Sequence, residues 1–593
     1  MRKHASRIAA VALAAAFLSI SGRLPCGRAS AAPPTMTCIV VDSATGEPMP
    51  SRCRVIDRYN SNRFPYSFCM FHTLNGGYFY SNGTCSLYVP TGKVIVHVGR
   101  GFEFRERLDT IMVAAADTVI VLPLARGVSM AGRRWHSGDA HVHINHDGGN
   151  YLLSPTHACL IGRAEGLSAV NCLDTYYYFT GGPTPCDAPD CVVYMSEEWR
   201  SASWGHMGFL GAKSVVSPDW SAWWPLAMDA ADSCRLAAGG VVVSAHPVTT
   251  DDFDEVDAWP GSGLARELPV DVVGGRVDAF DVMSYSNELH DDIELDLWYR
   301  LLNCGFRIPA SAGTDAVMNW METFPLGGYR VYVRTMDDIF DFDAWLDGLA
   351  AGRTFVTNGP LIAEFSVGGY CPGEGADIPS PAPSMPGSIS IRSLHPVSSV
   401  EIVVNGACAI EMLIDPPRGS IDTTFALDIS GSAWIAARVG GPKAGWLTIG
   451  SQLFAHTSPI YFTVDGERIV DCYPIIGYLH RGVEKIGESK TYDQITFLVE
   501  RICGICSTSH PLALCNAVED LAGVDIPPRA KYIRTIIAEL ERIRSASEQG
   551  NWLLLLQSWQ PRVVLPDDDE SRRLREEYQR REVVGDLLNS KLR

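Results

Sequence analysis

Over residues 37–125 apolar and polar positions alternate, as in T-C-I-V-V-D-S-A-T-G-E-P-M-P, S-L-Y-V-P-T-G-K-V-I-V-H-V and D-T-V-I-V-L-P-L. Period-two runs broken by Gly, Pro and Asn turns predict short strands, and the fold they suit is a β-sandwich over 37–126. The rhythm then changes. Strand-like runs such as L-S-A-V-N-C-L-D, G-G-V-V-V-S-A-H-P and F-R-I-P-A-S-A-G-T-D-A are separated by helical stretches. That alternation predicts an α/β layer over 127–362. The Pro-rich run 379–387 reads as a loop or short linker. After it S-I-S-I-R-S, S-V-E-I-V-V-N-G and A-W-I-A-A-R-V-G-G return to period two, predicting a second β-sandwich over 363–464. At the far end W-L-L-L-L-Q-S-W leads into a run of acidic and basic residues whose i,i+4 charges suit an exposed, charged helical tail over 549–593.

At 593 residues the chain is too long for one core, and its length alone suggests about three to four domains. Hydrophobic content of 46% and charged content of 20% mark it as globular. A formal charge of −19 would repel phosphates. No nucleic-acid partner is expected, and a small-molecule substrate or another protein suits the chain better.

Residues 1–31 have the three-part layout of a signal peptide: Arg2, Lys3 and Arg7, an apolar run over 8–20, and Ala29-Ser30-Ala31 as a cleavage site. The expectation is an exported protein, periplasmic or extracellular, with no membrane span after cleavage, because the apolar run is shorter than a span needs. Export permits disulfides among the seventeen cysteines. One or two bridges are expected among Cys38, Cys53, Cys69 and Cys85, and Cys186 with Cys191 would close a short loop.

The candidate chemistry starts at W-H-S-G-D-A-H-V-H-I-N-H-D, residues 135–147. On a strand, His141 and His143 point to one face and two imidazole nitrogens can share a metal ion. Asp139, His146 and Asp147 flank them with further donors. Downstream, Asp174, Glu197 and Glu198, His206, His246 and Asp315 each stand near the end of a strand-like run. Singly, each suits a helix cap or a surface hydrogen bond. Together they suit a ring of donors for two divalent ions, of zinc, manganese or iron type.

The order G-D-A-H-V-H, E-E-W-R-S-x-x-x-G-H-M-G-x-L-G, S-A-H-P, F-R-I-P-A-S-A-G-T-D-A and A-G-R-T-F-V-T-N-G-P resembles the CehA/McbA-type metallohydrolases over residues 37–465. These belong to the polymerase-and-histidinol-phosphatase (PHP) superfamily. The resemblance implies a PHP-type distorted β/α barrel between the two sandwiches, and a metal-activated water acting on a phosphoester, ester or carbamate. It also implies His141, His143, Asp174, Glu198, His206, His246 and Asp315 as metal ligands, with Glu198 bridging and Glu198 and His206 as catalytic groups. Two departures stand out: Thr175 follows Asp174 where the superfamily has His, and Val317 stands where it commonly ends Asp-x-His. They favour two ions over three. They also leave open a non-catalytic secreted binding protein with a degenerate barrel.

A second resemblance begins at G-Y-L-H-R-G-V-E-K and continues through E-R-I-C-G-I-C-S-T-S-H-P and P-P-R-A-K-Y-I-R-T-I-I-A-E-L-E-R-I. Over 464–545 it is similar to the amino-terminal part of the large subunit of nickel–iron hydrogenases and of the related quinone-oxidoreductase subunit. This implies a truncated, helical segment over 465–548, with a protein partner possible and a redox role as one reading. Cys503 and Cys506 would be two nickel thiolates, an incomplete site, because the last cysteine of the chain is Cys515. A complete nickel centre is therefore not expected in this chain alone.

Overall fold

The computed structural model describes residues 33–548, except 67–70, 74–75, 147, 174–177, 185, 187–189, 202–203, 217–225, 248–266, 285–290, 379–381, 444–451, 465–482 and 503–507. The expected signal peptide and charged tail lie outside the described residues, as do Asp147, Asp174, Cys503 and Cys506. What is described is a multidomain chain of mixed α/β character, rich in strand.

Near the amino terminus two sheets face each other. Thr35–Asp42 pairs antiparallel with Thr84–Tyr88 and parallel with Thr118–Leu124. A six-stranded sheet built on Ser51–Ile56 and Gly92–Gly99 covers it. The alternating positions meet between the sheets: Met36, Cys38, Val40, Val55, Phe79, Leu87 and Val96 form one buried core. Cys38, Cys53 and Cys85 are free, buried thiols in that core, so no bridge forms among these three. Cys38 and Cys85 stand opposite each other on paired strands. Cys69 lies outside the described residues.

Two sheets carry the central region. In the first, Trp135–His143 lies parallel to Ala169–Cys172, which lies parallel to Val192–Met195. In the second, the order is Glu197–Ser201, Gly205–Leu210, Val241–Ala245, Ala279–Ser284, Ala310–Gly313. The chain passes from one to the other at Ser196, whose N–H donates to the Cys172 carbonyl at 2.7 Å. At the other side the N–H of Asp315 donates to the His141 carbonyl at 2.7 Å. Among the described strands no continuous ladder closes these sheets into the expected barrel. The pairing slips between Asp139 and Val142 and again between Asp281 and Met283, irregularities of the kind that bend strands and terminate pairing beside functional sites.

Two further expectations need correction. Residues 382–387 are not a linker: they open the long strand Ala382–Val404, where Met385 pairs with Leu427 and Gly387 with Phe425. A register shift between Ala382 and Met385 accommodates the stretch, and Pro is tolerated in a sheet at such bulges. One continuous sheet runs from Trp135–His143 through Arg330–Arg334 and Thr354–Thr357 into Leu453–Thr457 and Ala433–Gly441. The α/β region and the strands after it thus share a ladder. Cys186 pairs with Cys159 instead of Cys191. Cys159 lies on helix Pro155–Ala164, and the buried Cys191 thiol packs under the same helix at Gly162.

Beyond the second set of strands, helices Tyr492–Val499, Ser509–Ala522 and Pro528–Glu548 contain no buried described side chain. No helix among the described residues is long and apolar enough to cross a membrane.

Candidate metal centre

His141 and His143 lie on a strand buried along its whole length. Their side chains leave one face, and their Nε2 atoms stand 3.1 Å apart. Both approach Glu198, on the first strand of the second sheet: His141 Nε2 lies 3.5 Å from Oε1, and His143 Nε2 lies 3.3 Å from Oε2. His206 comes from the next strand, its Nδ1 2.8 Å from Glu198 Oε1. His246, just past Val241–Ala245, brings Nε2 to 3.3 Å from the same oxygen. Asp315, just past Ala310–Gly313, has Oδ1 3.4 Å from His141 Nε2 and 3.2 Å from His143 Nε2. Six of the seven expected ligands thus converge. The seventh, Asp174, lies outside the described residues.

Three overlapping groups have the spacing of a metal shell: His141 with His143 and Glu198, His141 with His246 and Asp315, and Glu198 with His206 and His246. Glu198 is common to the first and third. The His206 nitrogen close to Glu198 makes no well-directed hydrogen bond despite the short approach. A His206 nitrogen that crowds a carboxylate oxygen without a good bond fits a cation between them, and imidazole with carboxylate suits a divalent transition metal.

The backbone supports this geometry. His246 and Asp315 have φ of 25° and 51°, a left-handed region that His and Asp tolerate better than most residues but that still costs energy. Asp139 is not a ligand. Fully buried, it accepts from Thr314 N at 3.0 Å, Thr314 Oγ1 at 2.6 Å, Gly327 N at 2.8 Å and His141 N at 3.2 Å. It clamps the turn that presents Asp315. Glu197, opposite in phase to Glu198, is buried the other way and accepts from Val216 N at 2.6 Å. Val317 lines the cavity. Arg353 and Asn358 bond main chain, to Arg334, Gln452 and Phe454, which gives them structural roles.

Charge is unevenly distributed among the donors. Burial pushes Glu198 up, but His141, His143 and His206 outweigh it and hold the carboxyl well below the usual range. Asp315 is lowered in the same way, its burial outweighed by His141, His143 and His246. Burial lowers His141. For His246 burial is outweighed by Glu198 and Asp315, and the net shift is upward. Burial raises Asp139 to about 6, with the Thr314 bonds opposing.

One residue escapes the sequence reading. Arg200 donates from Nε to Glu198 Oε2, and from Nη2 to His143 Nε2 at 3.1 Å. Its signal is available in the sequence, since it stands two positions after Glu198 on a strand and so shares its face. With His143, His146, Glu198, His206, His246, Asp315 and Trp320 it lines a cavity of about 340 Å³.

Comparison with known proteins bears mainly on the carboxyl-terminal segment. Residues 481–546 match the nickel-dependent hydrogenase family model. The chain is 54% identical over 83 residues to the membrane-bound hydrogenase subunit alpha of Pyrococcus furiosus, covering 14% of this chain and 19% of that protein. It is 40% identical over 109 residues to hydrogenase-4 component G of Escherichia coli, covering 18% and 20%. An NADH-quinone oxidoreductase subunit of Thermodesulfovibrio yellowstonii is 48% identical over 81 residues, covering 14% and 20%. The chain spans about a fifth of the length of these curated relatives. The match to a nickel-dependent family weighs against setting nickel aside for this segment. Among solved structures, a two-domain protein from Bacteroides vulgatus containing a predicted PHP-like metal-dependent phosphoesterase aligns at a TM-score of 0.30 and 11% identity, covering 55% of this chain and 95% of that one.

Proposed function

We propose that the chain is a metal-dependent hydrolase of PHP type, acting on a phosphoester, carboxyl ester or carbamate. The observation that carries this reading is the convergence of His141, His143, Glu198, His206, His246 and Asp315 at metal-ligand spacing, all but His141 lining one cavity. When bound, divalent ions would supply Lewis acidity toward the substrate oxygen and activation of a water molecule. His141, His143, Glu198, His246 and Asp315 are the residues that would hold such ions.

Proton delivery to the leaving group falls to His206. Its side chain is 32% exposed, against 2–5% for His141, His143 and His246. Export also belongs to this proposal, supported by the expected signal peptide over 1–31 and by the Cys159–Cys186 disulfide. The deciding experiment is metal analysis of the purified full chain, with a panel of chromogenic phosphoesters, esters and carbamates assayed with and without chelator. Absence of both bound metal and chelator-sensitive turnover overturns the reading.

A second reading concerns residues 481–546, where the identity to hydrogenase subunits favours a redox-protein origin. It expects nickel retained through Cys503 and Cys506, and Cys503→Ser to release it. A full chain whose nickel content is unaffected by that substitution removes this reading.

A further inference from the structure

Arg200 is the only Arg or Lys among the described residues that line the cavity. Its side chain is 30% exposed, and it grips both kinds of donor at once: Glu198 Oε2 through Nε, and His143 Nε2 through Nη2. Nη1 also lies 3.5 Å from His146 Nε2. A guanidinium has no lone pair to give, so Arg200 is the donor and His143 Nε2 the acceptor. The lone pair that Arg200 occupies is the one that the His141–His143–Glu198 group would turn toward a metal ion.

One lone pair cannot serve both. Without a metal ion, the 2%-exposed Glu198 carboxylate has the surrounding histidines and the Arg200 guanidinium as its positive partners, and Arg200 is the one that keeps its charge at any working pH. Arg200 thus adds a permanent charge to the partners of Glu198. A divalent ion arriving among the same donors repels the guanidinium and competes for His143 Nε2.

We propose that Arg200 is the resident counter-cation of the metal-free centre, that it gives up His143 when metal binds, and that its freed guanidinium fork then receives an oxyanion of the substrate in the cavity. The ligand class is a phosphoryl or carboxylate group, whose paired oxygens match the fork. This inference rests on the metal-centre reading above and adds to it a coupling between metal loading and anion recognition.

The test uses the full chain as wild type, Arg200→Gln and Arg200→Lys. Each is titrated with Mn²⁺ by calorimetry, and the loaded forms are then titrated with inorganic phosphate. Losing one charge-assisted bond that competes with metal should tighten Mn²⁺ binding in Arg200→Gln about tenfold or more. Phosphate binding to the loaded variant should weaken by a similar factor. Arg200→Lys keeps a charge but not the fork, so its metal affinity should fall between the other two while its phosphate loss matches Arg200→Gln. Should Arg200→Gln fail to fold by circular dichroism, Arg200→Lys carries the comparison. Wild type that takes up no Mn²⁺ overturns both this inference and the metal-centre reading. Wild type that loads Mn²⁺, with variants of unchanged metal or phosphate affinity, overturns this inference alone.

Discussion

The main-chain N–H of Asp315 donates to the carbonyl of His141 at 2.7 Å, so two donors far apart in sequence are fixed by backbone before any side chain is considered. Asp139 reinforces this link through Thr314 and the His141 N–H. Asp139→Ala should therefore disturb the centre without removing a ligand. Outer partners of metal sites typically contribute 10–100-fold in affinity, and a loss of about that size is expected in a metal titration. Metal affinity equal to wild type would show that the clamp does not matter.

Glu198 is the member shared by two donor groups. Glu198→Gln removes the charge from both. Chelator-sensitive turnover should fall by at least about 100-fold, more than an outer partner alone provides. Wild type should gain about 2.7 kcal/mol of stability at metal 100-fold above its dissociation constant, and the variant should gain none. Thermal melts with and without Mn²⁺ check this.

The donors are legible in the sequence because strand alternation is a local rule: His141 and His143 need only the period of two, and Glu198 is separable from Glu197 once its strand is found. Arg200 obeys the same rule but reads as an ordinary surface charge. Long-range facts are illegible. That Cys186 reaches Cys159, that residues 382–387 join a ladder, and that the described central strands form two sheets all depend on pairings between segments remote in sequence. Spacing does not encode such pairings.

Away from the centre, the carboxyls of Asp271 and Glu267 are buried. Burial, and then Glu267, push Asp271 up to about 9, with Arg276 opposing; burial pushes Glu267 up to about 7. Both Asp271 oxygens lack a hydrogen-bond partner among the described residues. Unfolded carboxyls titrate near 4. Between about pH 4 and 9 the unfolded chain has therefore released protons that the folded chain keeps, and stability falls as pH rises through that window. Asp271→Asn should stabilise the fold by on the order of 1–3 kcal/mol at pH 8 and by little at pH 4. Denaturant melts at both pH values provide the comparison, and equal effects at the two would refute it.

The helices after residue 482 bury none of their described side chains, so the core preceding them should not depend on them. A chain ending at residue 464 is expected to melt within a few degrees of the full chain, since a 1 kcal/mol change moves the midpoint of a large domain by about 2–4 °C. Its Mn²⁺ binding should match the full chain. A large drop in either would mean that this segment supports the centre.

The Cys159–Cys186 bridge spans 27 residues, and the loop-closure entropy removed from the unfolded chain corresponds to about 3.5 kcal/mol. It ties helix Pro155–Ala164 to the segment leading into Val192–Met195, on the same side of the centre as His141 and His143. Cys159→Ser should lower stability by several kcal/mol in protein made in an oxidising compartment. The same substitution should have little effect in protein made and kept reduced. Mass spectrometry of the non-reduced protein reads the bridge directly, and denaturant melts of the four samples give the difference. Equal stabilities in the two compartments, with the bridge absent from both, would overturn the disulfide and remove its support for an exported protein.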